Sequence, residues 1–307
     1  MRFSFITKLF ISLTVLSAYI ALFPIPGVFS NDKFERLYFA STDWVDLVGE
    51  RTQIGNFDLY SVGTNSNSSN VYIWGDSHAE QYFPRVNYLH EYNDHISATF
   101  IRQRGCPPII DLQHDNEIIN YRYRKCDAAL LDLLQQSRFL PDNKALVASF
   151  CLACLLIPNN DNQDLIQSEF PFFSVNGKRV NLFSEPGRMQ FKSQFIDLLL
   201  RLGKNSEQIF VLLDNPIGDH FNPLNFQYAG QKTVAVSAEQ VDLYNSLYDS
   251  ISAEVSILAI DVMADLCNEE YMCVREHLDG IPIYKDSDHL NASFIRDYAV
   301  WLDQVFF

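Results

Sequence analysis

The chain has 307 residues, of which 48% are hydrophobic and 20% are charged. This composition is typical of a globular protein and excludes a disordered one. The formal net charge is −15, and the first 30 residues contain two bases and no acid, so the rest of the chain carries −17. A negative field of that strength repels nucleic acid and anionic lipid, which excludes both as partners of the folded part.

The N-terminus has the layout of an export segment. Arg2 and Lys8 precede an uncharged, largely apolar run over residues 9–23, and two prolines and a glycine then break the helix. Such a layout is typical of a signal peptide. Extended to Phe29, the apolar stretch is also long enough to span a bilayer. We expect residues 1–30 to be either a cleaved signal peptide or an uncleaved helix that tethers a periplasmic or otherwise extracytoplasmic protein to the inner membrane.

Six cysteines are consistent with export, because an even number permits disulfides in an oxidising compartment. Two pairs are close along the chain and are candidates for disulfides: Cys106 with Cys126, and Cys267 with Cys273. Cys151 and Cys154 have the CxxC spacing of a redox or metal site, but the apolar run around them contains no histidine and no second CxxC. We expect buried thiols or a local disulfide at this pair, and no metal.

Residues 31–70 are assigned to a lead-in linker that ends in a polar tract. From Val71 onwards, strand-like and helix-like patterns alternate. Short apolar runs predict strands over residues 71–74, 96–101, 145–152, 208–213 and 255–260. Helices are predicted over residues 78–92, 121–137, 186–202, 238–254 and 291–306. This alternation predicts one α/β domain over residues 71–307, with a parallel sheet of about five strands between two layers of helices.

A candidate nucleophile lies at the end of the first predicted strand. Gly75, Asp76 and Ser77 follow the apolar run that ends at Trp74. In parallel sheets, ligand-binding and catalytic groups gather at the carboxyl ends of the strands. A serine hydroxyl is a weak nucleophile, which needs a histidine as base and a carboxylate to orient that histidine. The placement of Ser77, rather than the tripeptide alone, indicates nucleophilic catalysis.

One compact segment before the last predicted helix supplies both partners. Asp286 stands three residues before His289, a spacing at which a loop carboxylate can reach the imidazole. Asp288 is adjacent to the histidine, and adjacent side chains usually diverge, so we prefer Asp286. For the same reason His78 is given no role as a base; we expect it to line the pocket or cap the helix. Residues 214–216 end the fourth strand and so could border the site, although a turn is the preferred interpretation.

Two motifs resemble a known family. Residues 74–79 (WGDSHA) and 286–290 (DSDHL) are similar to the first and last blocks of the SGNH (GDSL-type) hydrolase and acyltransferase superfamily. More narrowly, they resemble the SGNH domains fused to membrane acyltransferases of acyltransferase family 3. Residues 105–108, Cys126 and the segment 266–286 are also similar to that subfamily. The likeness extends over most of the chain.

The resemblance implies a flavodoxin-like, three-layer α/β/α fold. It also implies Ser77 as nucleophile, His289 as base and Asp286 as the acid that orients the base. The backbone N–H groups of Ser77 and Gly105 are implied as donors of an oxyanion hole, where one donor lowers the barrier by about 3 kcal/mol. The family's further asparagine donor has no clear counterpart, and residues 159–160 are interpreted as part of a polar loop.

The function that the resemblance implies is serine-dependent O-acyl transfer, commonly of acetyl, to a bacterial envelope polysaccharide such as lipopolysaccharide O-antigen. No cofactor is expected, and the acyl group would come from a separate membrane acyltransferase or another donor. Two alternatives stay open. A carbohydrate O-acetyl esterase would use water in place of the sugar hydroxyl. A non-catalytic glycan-binding module would keep the fold, but it has no use for Ser77, Asp286 and His289 together.

Overall fold

A computed structural model describes residues 31–45, 47, 51–54, 57–63, 69–102, 106–136, 143–157, 171–225, 230–278 and 280–307. The expected signal peptide or hydrophobic anchor at residues 1–30 lies outside this part of the chain. Within it, no helix combines the length and the apolar character that crossing a bilayer requires.

The described residues form strands and helices that largely alternate from β3 onwards. The strands are β1 (Arg51–Ile54), β2 (Phe57–Val62), β3 (Ser69–Gly75), β4 (Ile96–Arg102), β5 (Asn143–Ser149), β6 (Phe172–Val175), β7 (Lys178–Asn181), β8 (Ser206–Leu212), β9 (Thr233–Ala235), β10 (Ile257–Ile260) and β11 (Met272–Val274). The α-helices are α1 (Asn31–Thr42), α2 (Ser77–Glu80), α3 (Phe83–Tyr92), α4 (Glu117–Gln136), α5 (Leu152–Leu156), α6 (Glu185–Leu202), α7 (Ala238–Ser252), α8 (Val262–Leu266) and α9 (Ala292–Tyr298).

Five strands of the central sheet run parallel, in the order β4-β3-β5-β8-β10. Counted along the chain, this order is second, first, third, fourth and fifth, which is the flavodoxin-like arrangement. The strand order reverses between the first and third of these strands, β3 and β5, and in open α/β sheets ligands bind outside the carboxyl ends of the strands at such a point. The expected fold class is confirmed, and the reversal of strand order indicates where a functional site should lie.

The central sheet contains seven described strands, more than the five or so expected. The two additional strands lie in the segment assigned to the lead-in, where β1 pairs antiparallel with β2 and β2 pairs antiparallel with β4. Along β2, Phe57 and Leu59 pack into the core on one face, whereas Tyr60 and Val62 pack on the other. The parallel sheet is therefore extended at one edge by an antiparallel hairpin whose second strand is buried on both faces.

Helices cover both faces of the sheet and produce the expected three layers. On β3, Val71 and Ile73 face one apolar cluster while Tyr72 and Trp74 face the other, as the two-residue period of a strand requires. The first cluster contains residues of α2, α3 and α9, and the second contains residues of α4, α6 and α7. The carboxyl end of β3, which leads to Ser77, is thus held between two packed layers.

Three of the expected elements are divided or end early. The helix expected over residues 78–92 is two helices, and Pro84 lies in the first turn of the second, where a proline is tolerated. The third parallel strand ends at Ser149, and the apolar residues after it form the short helix α5. The closing helix is α9 followed by a 3-10 helix, Val300–Val305.

Candidate active site

Glycine at position 75 allows β3 and β5 to approach closely at the carboxyl edge of the sheet. Gly75 pairs with Ser149, and a Cβ at position 75 would lie 1.8 Å from the Ser149 carbonyl oxygen. Any other residue would push the two strands apart, since a backbone atom occupies the space. Ser77 therefore follows a fixed strand end at the point where the order of the sheet reverses.

Asp76 fixes the start of α2 and ties it to the end of β5. One carboxylate oxygen accepts a hydrogen bond from the His78 N–H at 2.8 Å, and the other accepts one from the Cys151 N–H at 3.1 Å. The first bond caps the helix at its N-terminus. Ser77 is the first residue of this helix, so its own N–H has no acceptor within the helix.

The loop before α9 is organised around Asp286. Its Oδ1 accepts hydrogen bonds from the backbone N–H groups of Asp288 at 3.1 Å and of His289 at 2.8 Å. Both carboxylate oxygens also lie within hydrogen-bond distance of His289 Nδ1, at 3.0 and 3.1 Å. A carboxylate at this position favours the tautomer that carries its proton on Nδ1, which leaves Nε2 able to accept one.

The other ring nitrogen of His289 faces the candidate nucleophile. His289 Nε2 lies 2.7 Å from Ser77 Oγ, which is the distance of a good hydrogen bond. A base at this distance can take the hydroxyl proton directly. The fold thus brings together Ser77, Asp286 and His289, the three residues that the sequence indicates, although the first and the last come from opposite ends of the domain.

Asp286 is held in its charged form. Burial by itself raises the pKa of this carboxyl group, but the hydrogen bond and charge of the His289 ring outweigh burial, with help from the N–H groups of His289 and Asp288. The pKa of Asp286 therefore lies well below its usual range. Lys285 Nζ contacts the same carboxylate at 3.2 Å. An anion beside Nδ1 stabilises an imidazolium when one forms.

Two buried amides connect the helix of the serine to the loop of the histidine. Asn215 Nδ2 donates to the carbonyl oxygen of Asp288 at 2.8 Å. Gln81 Nε2 donates to Asn215 Oδ1 at 3.2 Å, and Gln81 Oε1 accepts from the Leu290 N–H at 3.0 Å. The preferred interpretation of residues 214–216 as a turn misses this role, whereas their place at the end of a parallel strand correctly indicates that they border the site.

Trp44 borders the site on the side of the segment that follows α1. Its ring meets the His289 ring edge-on, with 4.9 Å between the ring centroids, and Lys285 Nζ lies 4.7 Å from the Trp44 ring centroid. The neighbouring Asp43 accepts a hydrogen bond from the Ser293 N–H at 2.9 Å, which attaches this segment to α9. Trp44 is far from the other site residues along the chain, and nothing in the sequence indicates its position.

His78 and Asp214 are buried titratable groups beside the site. His78 is only 1% exposed, so it lies in the interior beside the site, while Asp76 supplies the helix cap. Burial raises the pKa of Asp214 to about 7, against the opposing effects of His78 and the Ala153 N–H. An aspartate with such a pKa is partly protonated at neutral pH.

Among the described residues, three disulfides occur: Cys106–Cys126, Cys151–Cys154 and Cys267–Cys273. The first and third join the candidate pairs. Of the two outcomes expected for the CxxC pair, the structure contains the local disulfide. It lies at the site, because Cys154 Sγ is 3.8 Å from Asp288 Oδ2 and Cys151 donates to Asp76. Two sulfurs joined to each other offer no thiolate to a metal ion.

Part of the expected oxyanion hole lies outside the described residues. Gly105 is not among them, and neither are residues 159–160. Ser77 is described, and its N–H stands at the start of α2, where a helix leaves backbone donors unpaired. The roles of Ser77 and Gly105 as donors stay predictions.

The fold and the site define a class of protein. A flavodoxin-like sheet with a serine, a histidine and an aspartate at its carboxyl edge is similar in architecture to the SGNH hydrolases and acyltransferases. Residues 47–299 match the family described as the SGNH domain fused to AT3 domains. The chain belongs to this family.

Solved structures with a similar fold include two bacterial proteins. The periplasmic domain of a lipopolysaccharide acetyltransferase from Salmonella ser. Paratyphi A is 14% identical, with a TM-score of 0.48 over 78% of this chain and 82% of that chain. A Bacteroides fragilis protein provisionally named an acylhydrolase is 10% identical, with a TM-score of 0.42 over 80% of this chain and 89% of that chain. The comparison with curated proteins gives no match.

Proposed function

We propose that this protein transfers an O-acyl group, in the simplest case acetyl, to a hydroxyl of a bacterial envelope polysaccharide such as lipopolysaccharide O-antigen, through an acyl-enzyme at Ser77. The observation that carries the proposal is the 2.7 Å distance between Ser77 Oγ and His289 Nε2, with Asp286 at the opposite ring nitrogen. Membership of the SGNH family supports acyl chemistry at this serine.

The first half of the reaction forms the acyl-enzyme. His289 Nε2 takes the proton of Ser77 as Oγ attacks the carbonyl carbon of the acyl donor, and the carbonyl oxygen becomes an oxyanion. The Ser77 and Gly105 N–H groups are the proposed donors to this oxyanion. When the carbonyl re-forms, the bond to the leaving group breaks, and His289 returns the proton to that group. Asp286 stabilises the imidazolium between the two proton transfers.

The second half regenerates the free serine. A sugar hydroxyl loses its proton to His289 as its oxygen attacks the acyl carbon, and the proton then passes to Ser77 Oγ as the ester to the enzyme breaks. The products are an O-acylated glycan and the original enzyme. Water in place of the sugar hydroxyl would give a free acid, so esterase activity is the same chemistry with a different acceptor.

The donor and the compartment follow from the same proposal. The family is described as fused to AT3 domains, which supports a membrane acyltransferase as the source of the acyl group. Three disulfides among the described residues support a location outside the cytoplasm, because disulfides persist in oxidising compartments.

The test compares ester cleavage by the full chain with that of two serine variants. Ser77→Ala is expected to lower kcat for an aryl acetate by about 10⁴-fold or more, since the nucleophile is lost. Ser174→Ala is the matched control, because Ser174 is exposed on β6, and it should keep wild-type activity. Envelope polysaccharide added as acceptor should acquire acetyl esters with wild-type protein.

Two results would count against the proposal. Equal phenol release by wild type and Ser77→Ala would mean that Ser77 is not the nucleophile, as in a non-catalytic binding module. Cleavage that depends on Ser77 but yields only free acetate with every polysaccharide tested would replace the transferase with an esterase.

A further inference from the structure

His78, the residue after the candidate nucleophile, is a buried imidazole enclosed by carboxylates. Its side chain is 2% exposed, and its Nε2 lies 3.6 Å from Asp288 Oδ2. The charges of Asp76 and Asp214 also act on it, one from its own helix cap and one from the end of β8. The His78 ring also lies beside the proposed base, His289, with 5.0 Å between the two ring centroids.

These carboxylates decide the charge of the ring. Burial by itself lowers the pKa of His78, but Asp288, Asp76 and Asp214 outweigh it and raise the pKa to about 9. The ring is therefore a cation at neutral pH. A neutral ring would leave the partly buried Asp288 carboxylate without the positive charge that now faces it.

Asp288 is in a position to interfere with the base. Its Oδ1 lies 3.6 Å from His289 Nδ1, the nitrogen that Asp286 contacts at 3.0 Å. Its other side-chain neighbours are the Ser287 hydroxyl at 3.2 Å and the sulfur of Cys154 at 3.8 Å, neither of which carries a positive charge. Within hydrogen-bond distance of Nδ1, this carboxylate would compete with Asp286 and bring a second negative charge against the ring.

We propose that His78 is a positioning residue for the reaction at Ser77: its buried imidazolium attracts the Asp288 carboxylate and keeps it from closing the 3.6 Å to His289 Nδ1, so that Asp286, at 3.0 Å, orients the base. The Asp288 N–H donates to Asp286, and the Asp288 carbonyl oxygen accepts from Asn215, so the backbone of this residue is already held. The ion pair with His78 fixes the remaining freedom, that of the Asp288 side chain. The proposal rests on the proposed function for its kinetic readout.

The kinetic experiment uses the full chain and a double-mutant cycle. His78→Gln keeps hydrogen-bonding capacity but removes the charge, and Asp288→Asn removes the competing carboxylate. His78→Gln is expected to lower kcat about tenfold with KM changed less than about twofold, because orientation of the base is lost after the substrate has bound. The acid limb of its kcat/KM profile should move to higher pH, since an unpaired carboxylate beside the base favours protonation of that base.

The double variant distinguishes positioning from a packing defect. When Asp288→Asn is added to His78→Gln, the acid limb should return towards that of wild type, and the two effects should not multiply. His95→Gln is the matched control, because the His95 side chain is 80% exposed, and it should leave kcat and the pH profile unchanged. An acid limb in His78→Gln identical to that of the control, or effects that multiply in the double variant, would overturn the proposal.

A measurement without turnover separates this proposal from the proposed function. Nitrogen-15 spectra of the histidine rings in the wild-type chain should show His78 as an imidazolium near neutral pH, with a lower midpoint in Asp288→Asn. A neutral His78 ring would overturn the proposal even in an active enzyme. Ester cleavage that does not depend on Ser77 would contradict the catalytic function. If His78 is nevertheless charged and coupled to Asp288, only the ion pair is supported.

Discussion

At the scale of single residues, Asp286 is the acceptor on which the orientation of His289 depends. It accepts the backbone N–H groups of residues 288 and 289 and faces Nδ1 of the ring. Its depressed pKa means that it stays ionised and offers no proton of its own. The loop around one carboxylate therefore selects the tautomer in which Nε2 can take the proton of Ser77.

Replacing this carboxylate with an amide tests its role. Asp286→Asn is expected to lower kcat for an aryl acetate by about 10³- to 10⁴-fold, because asparagine neither selects the tautomer nor stabilises the imidazolium. Asp94→Asn is the matched control, since the Asp94 side chain is 78% exposed, and it should behave as wild type. A folded Asp286→Asn variant that keeps more than about a tenth of wild-type kcat would contradict this role.

The meeting of Ser77, His289 and Asp286 could be predicted because each lies in a short motif beside a recognisable strand or helix. Gln81, Asn215 and Trp44 could not, because three separate elements supply them and only the folded chain brings them together. The burial of His78 likewise results from the packing of these separate elements in the folded chain. Adjacency to Ser77 along the chain does not reveal the carboxylates that surround it.

At the scale of secondary-structure elements, the close approach of β3 and β5 determines where α2 begins. Gly75→Ala would place a methyl group against the carbonyl oxygen of Ser149, and we expect it to lower the free energy of unfolding by about 3 kcal/mol. Equilibrium urea denaturation measures this. The control is Gly177→Ala in the β6–β7 turn, where nothing lies within 4 Å but φ is +72°, so only backbone strain of about 1 kcal/mol is expected. Equal losses would show that close approach is not the reason for glycine at 75.

The three disulfides are expected to differ in their ease of reduction. Cys154 is exposed, whereas the more exposed members of the other two pairs, Cys106 and Cys267, are only partly exposed. Since an attacking thiolate must reach a sulfur, limited treatment with a dithiol should open Cys151–Cys154 first. Alkylation followed by peptide mass spectrometry identifies the opened pair. Earlier opening of either of the other disulfides would contradict this order.

The parallel strands were predictable because each is a short apolar run, and a helix-like pattern separates it from the next. Strands β1 and β2 were not, because the apolar residues of β2 are divided between two buried faces and produce no simple alternation. The strand expected over residues 145–152 is too long for a related reason. Its apolar residues run without interruption into α5, and hydrophobicity alone does not separate a short buried strand from a short buried helix.

At the scale of the whole molecule, stability should depend on the charge of His78. The pKa of this ring is raised from 6.5 to about 9 by its carboxylate neighbours, against the effect of burial. The stabilisation is therefore complete below about pH 6.5 and is lost as the pH rises through about 9. We expect the free energy of unfolding to fall by up to about 3 kcal/mol over that range. Asp214, whose pKa is raised to about 7, affects the free energy of unfolding mainly at lower pH.

Urea denaturation at several pH values measures this dependence. His78→Gln should show a flatter profile between about pH 6.5 and 9, because it lacks the titrating group. His95→Gln should follow the wild-type profile. Parallel profiles for wild type and His78→Gln would mean that the ring is not charged in the folded protein.

The most direct test of the account is covalent labelling of the nucleophile in the full chain. A fluorophosphonate reacts only with a serine whose hydroxyl is activated by a neighbouring base. We predict labelling of one residue, Ser77, with no label in Ser77→Ala and slow labelling in His289→Ala, while Ser174→Ala reacts as wild type. An unlabelled wild-type chain, or a label at another serine, would contradict the assignment of Ser77 as the nucleophile.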